Sequence, residues 1–145
     1  MEAGRELDAL IAERVMGWGF WKSKHGYWNI EPPNGEHFST YGRFPHSDKY
    51  DSVTGELLPE VRWWEYCDEL PYYSTSIADA WLVVEKLKDD DLNYFAIDQN
   101  YANEGKCGIY FNPFDFGKFP PDIVGDNVPH AICLAALKAV GVKID

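Results

Sequence analysis

No apolar run in the 145-residue chain approaches the roughly 18 residues that a membrane-spanning helix needs. Nor does a basic segment followed by an apolar one open the sequence, so no secretory leader is expected. Cysteine is scarce: Cys67, Cys107 and Cys133 are odd in number and form no C-x-x-C pair, which argues against a disulfide framework and a zinc knuckle. Three buried thiols in a reducing cytoplasm are the expectation. Positive charge is also short, with 13 Lys and Arg against 24 Asp and Glu and a net charge of −11. Direct nucleic-acid binding is therefore not expected, because phosphate contacts need clustered cations. Phosphate loops, dinucleotide fingerprints, H-E-x-x-H and G-x-S-x-G are all missing. No catalytic set, cofactor or metal site is thus expected from local motifs.

What is abundant is aromatic: 6 Trp, 9 Tyr and 8 Phe, 16% of the chain, most of which a small domain must bury. The length fits one domain spanning 1–145. Leu7, Leu10, Ile11 and Val15 share one face of a helix placed at 6–16, with Gly17 to end it, and Glu6, Asp8, Glu13 and Arg14 read as its solvated face. Ser76 and Asp79 resemble a capping box ahead of a helix at 77–88, whose stripe is Ile77, Ala80, Trp81, Val84 and Leu87. On that stripe Trp81 is expected in the core. Asn127 and Pro129 open a third helix at 128–140, which Gly141 ends.

Between the first two helices periodicity is lost. Short strands at 26–30 and 41–44 fit between turns at Pro32-Pro33-Asn34-Gly35 and Thr54-Gly55, and 61–67 reads as a further strand. Strands at 94–99 and 107–112, joined by a polar loop, read as an antiparallel pair. The expected fold is α+β, an α/β sandwich with about three helices packed on an antiparallel sheet.

Three blocks carry a resemblance. The opening LDALIAERVMGW at 7–18, the segment YSTSIADAW at 73–81 with Val84-Glu85-Lys86-Leu87, and the close AICLAALKAVG at 131–141 are spread over the chain in order. Together they resemble the phage ABA sandwich domain of small bacteriophage and prophage proteins. The resemblance implies an α/β sandwich encoded by a phage. It brings no general activity with it, so function has to be argued from the residues.

Charge is unevenly spread. In 18–50, Lys22, Lys24, Arg43 and Lys49 stand against Glu31, Glu36 and Asp48, a balance of +1, while every other stretch is acidic. Aromatics crowd the same segment. A flat anionic ligand such as a nucleotide asks for this combination, rings to stack the base and guanidinium groups to meet phosphate. Trp18, Trp28, Tyr41, Arg43, Arg62, Trp63 and Trp64 are the candidate ligand-binding residues. His25, His37 and His46 lie near Glu36 and Asp48, but their spacing matches no metal-ligand pattern, and they read as solvated loop histidines. The leading expectation is a phage counter-defence protein that sequesters a small nucleotide-type immune signal, a cyclic nucleotide or ADP-ribose derivative, without catalysis. A homo-oligomer is compatible with that reading. The alternative is an acidic, DNA-mimicking antagonist of a host nuclease or defence protein. A phosphodiesterase using His37 or His46 is a third, weaker reading.

Overall fold

A computed structural model describes residues 1–22, 28–31, 38–39, 62–89 and 96–144. Their contacts group into two compact units, Met1–Met16 with Pro71–Asp145, and Gly17–Leu70.

The first unit is organised around a helix that is apolar on every side. This helix, α3 at Val128–Ala139, is buried from Pro129 to Leu137, as an all-round apolar helix must be. Asn127 caps it by accepting the His130 N–H at its side-chain oxygen, 3.0 Å away. Gly141, at φ +83°, supplies the left-handed turn that stops it. The helices α1 (Arg5–Arg14) and α2 (Ile77–Asp89) both pack against α3. Beneath it lies an antiparallel sheet of β4 (Ala96–Tyr101), β5 (Lys106–Tyr110) and β6 (Ile123–Gly125), with β5 in the middle. Gly125 is where α3 comes closest to the sheet: a Cβ there would stand 2.5 Å from the Ala131 backbone nitrogen. Only glycine leaves room for that approach.

The three helices and the β4–β5 pair match the expected α+β layout, with ends displaced by one or two residues. The strand β6 is absent from the sequence reading. Three residues hidden between a Phe- and Pro-rich loop and a helix cap are too short to show alternation.

Two expectations about burial are corrected. Trp81 is 51% exposed and Ile77 54% exposed, because the face of α2 turned inward runs through Ala80, Val83 and Leu87. The stripe read from the sequence is rotated about the helix by the bulk of Ile77 and Trp81, whereas the small Ala80 occupies the close contact. Asp8, expected on the solvated side of α1, is completely buried. Its Oδ1 accepts the Ser74 N–H and the Ser74 hydroxyl, both at 2.7 Å, and its Oδ2 accepts from Arg5 Nη1 at 3.0 Å. Ser74 Oγ in turn accepts the Gly4 N–H at 2.9 Å. A buried carboxylate is tolerated because each oxygen has donors aimed at it.

In the second unit β1 (Gly19–Lys22), β2 (Trp28–Glu31) and β3 (Phe38–Ser39) form an antiparallel meander. The strand expected at 26–30 corresponds to β2. The strand expected at 41–44 and the turns at Pro32–Gly35 and Thr54–Gly55 lie outside the described residues. The strand expected at 61–67 is instead a 3₁₀ helix, Trp63–Tyr66. The Glu65 N–H bonds the Arg62 carbonyl at 3.1 Å, and the eclipsed i, i+3 geometry sets the two side chains side by side, which favours the turn over an extended chain.

Candidate functional site

The described part of the site grows from that 3₁₀ helix. Arg62 precedes it with an exposed side chain, and its Nε lies 2.8 Å from Glu65 Oε1. Its guanidinium carbon sits 5.5 Å from the centre of the Trp64 ring, a cation–π distance. Arg62, Trp63 and Trp64 are consecutive in the chain, and of these the turn brings the Arg62 cation and the Trp64 indole together. Both charges of the Arg62–Glu65 pair are largely in water, so the pair is worth roughly 0–1 kcal/mol and yields to a better anion at little loss.

The other candidate residues fall elsewhere. Trp18 is buried, immediately ahead of β1. Trp28 opens β2, opposite Lys22 in the register. Tyr41 and Arg43 lie outside the described residues, as do His25, His37 and His46.

Thiol chemistry is suppressed. The three cysteines are free and buried. Burial pushes Cys107 up to about 11, with the Asp98 carboxylate adding to the shift. Burial and the nearby Asp8 push Cys133 far higher, and burial raises Cys67 as well. Thiols held protonated at neutral pH are poor nucleophiles and poor metal ligands. Among the described residues no three His, Cys, Asp or Glu side chains gather as a metal site. His130, on α3, has a structural task instead. The Asp126 N–H donates to its Nδ1 at 3.0 Å, which leaves Nε2 to donate to the Met1 carbonyl at 2.8 Å.

A second surface feature has no counterpart in the sequence reading. An open groove of about 650 Å³ runs beside β6, floored by Ile123 and Leu134 and flanked by Lys138 and Lys143. Lys138 reaches the Asp122 carbonyl at 3.5 Å and sits 5.8 Å from the centre of the Phe111 ring. The available signal was Lys138 itself, the single charge on an otherwise apolar helix.

Helices packed on an antiparallel sheet define the first unit as a small α+β sandwich. The chain belongs to the phage ABA sandwich domain family, whose model matches residues 9–137. No curated protein and no solved structure matches it. Among the described residues no helix is long and apolar enough to cross a membrane.

Proposed function

We propose that this chain is a phage counter-defence protein that binds and holds a small anionic, ring-bearing ligand of the nucleotide type, acting in the cytoplasm of the infected host without chemical turnover. The observation that carries the reading is the Arg62 guanidinium lying over the Trp64 ring on an exposed turn. The turn follows, twelve residues on, the 18–50 stretch where aromatic residues and a non-acidic charge balance coincide. A phosphate would take over the guanidinium from Glu65 in a bidentate, charge-assisted pair, while a base stacks on an indole. A host immune signal built as a cyclic nucleotide or an ADP-ribose derivative has both parts.

Calorimetric titration with cyclic dinucleotides and ADP-ribose derivatives tests this on the wild type, Arg62→Ala and Trp64→Ala. Loss of a charge-assisted hydrogen bond is worth about 1.5–3 kcal/mol, so Arg62→Ala weakens binding by roughly ten- to 150-fold. Trp64→Ala removes a stacking contact worth about 1–3 kcal/mol per base. Heat from no nucleotide, together with tight binding to a host nuclease or defence protein, overturns the reading in favour of the acidic antagonist.

A further inference from the structure

Between β5 and β6 the chain carries Phe111, Phe114, Phe116 and Phe119 in nine residues. Burying such rings is the strongest drive a small domain has, yet Phe114 is 81% exposed, Phe119 62% and Phe116 47%. The loop holds them out in a defined shape. The Phe114 N–H bonds Asn112 Oδ1 at 3.0 Å, and the Asp115 carbonyl accepts from the Lys118 and Phe119 N–H groups at 3.0 and 3.2 Å. Phe116 leans on Tyr110 with ring centres 5.3 Å apart, and Asp122 Oδ2 closes the loop by accepting the Phe111 N–H at 2.9 Å. A display of phenyl groups fixed by hydrogen bonds is suited to insertion, because little conformational freedom is left to lose.

The loop leads straight into the groove beside β6, so an apolar donor and an apolar receiver adjoin on one face of one unit. Lys138 touches both, resting near Phe111 and on the Asp122 carbonyl. Neither Lys138 nor Lys143 has a carboxylate partner among the described residues, whereas the loop carries Asp115 between two of its phenyl groups.

We propose that this chain pairs with a second copy of itself, each copy seating the phenyl groups of its loop in the groove of the other. Adjacency of donor and receiver is the condition for a two-fold, self-complementary contact, since one rotation then satisfies both. The charges agree, with Asp115 of one loop facing Lys138 and Lys143 across the contact and Lys118 facing Asp122. The area sets the strength of the pairing. At about 150–250 Å² per buried aromatic, the exposed parts of the three rings amount to roughly 300–450 Å² per copy. Two loops with the smaller groove surfaces they enter then bury about 850–1,150 Å², the range of weak, reversible pairs. The pairing rests on the first unit alone and is independent of the ligand reading.

Sedimentation velocity of the full chain over a wide concentration range tests it, with Phe114→Ser/Phe119→Ser as the loop variant and Val124→Glu as the groove variant. None of these side chains is buried, so far-UV circular dichroism serves to confirm that each variant stays folded. The wild type is expected to approach twice its 16.6 kDa chain mass as its concentration rises, with self-association weakened at least tenfold in each variant. A wild type that stays monomeric throughout overturns the proposal, and leaves the groove to some other occupant. A dimer whose strength neither variant changes overturns it equally, by placing the contact on another face.

Discussion

Asp8→Ala should lower the stability of this protein by about 3 kcal/mol, more than any other exchange of a charged residue on α1. The carboxylate receives three donors, the Ser74 N–H and hydroxyl and one arm of Arg5. If all three were orphaned, hydrogen bonds to a charged group at about 1.5–3 kcal/mol each would predict a loss well above 4 kcal/mol. Two of them have other places to go. The Ser74 hydroxyl lies 3.2 Å from the Gly4 carbonyl, and the Arg5 arm is already 3.0 Å from the Pro71 carbonyl and 4.2 Å from the Tyr72 ring centre. Only the buried Ser74 N–H is left with nothing, and breaking a buried charge pair on one side costs about 3–5 kcal/mol. The lower end of that range is therefore expected. Urea unfolding followed by circular dichroism measures it, with Ser74→Ala as the companion. That variant keeps the N–H and the Arg5 contact and should lose about 1 kcal/mol. A loss below about 1 kcal/mol for Asp8→Ala would refute the reasoning, because the cluster would then contribute no more than an exposed ion pair.

Other outcomes follow from close packing and from thiol burial. Gly125→Ala should lower stability by about 1–3 kcal/mol or more, since its new methyl would meet the backbone and side chain of Ala131 rather than a side chain free to swing away. A melting temperature equal to wild type would show that α3 and β6 can separate at no loss. Native Cys107 should resist alkylation until the pH nears 11, while the unfolded chain reacts near the ordinary thiol value. The same shift has a stability consequence. A thiol raised in the folded state favours folding below its unfolded value and loses that contribution as pH climbs through its folded one. The urea midpoint should accordingly fall between about pH 9 and pH 11.

The parts of this fold that are legible in the sequence are those where one local rule acts alone. Helix α3 is readable because cap, N-terminal proline, apolar run and terminal glycine all agree, and each is found in its expected role. The meeting of β4 and β5 is readable because a polar loop separates two apolar runs. Helix α2 shows where a local rule misleads. Its periodicity is real, but choosing the buried arc depends on which residues α3 can approach, and Ala80 and Val83 fit where Trp81 does not. Asp8 misleads for the same reason, since the partner that makes its burial tolerable lies 66 residues away at Ser74. In 61–67 the aromatic content suggests a strand, but without clean alternation it says nothing of the local i, i+3 turn that forms there instead. The candidate site is legible as composition, rings and cations in one segment. The nearness of Arg62 to the Trp64 ring is a fact of the turn, beyond what composition conveys.

The most direct test of ligand capture is native mass spectrometry of the purified chain after incubation with a nucleotide extract from infected cells. Sequestration predicts an added mass matching a phosphorylated, ring-bearing metabolite, lost in Arg62→Ala and released with its mass unchanged when the protein is unfolded. Contradiction would come from a chain that emerges without added mass, or from a released species whose mass differs from that of the ligand supplied, since the first denies capture and the second requires turnover.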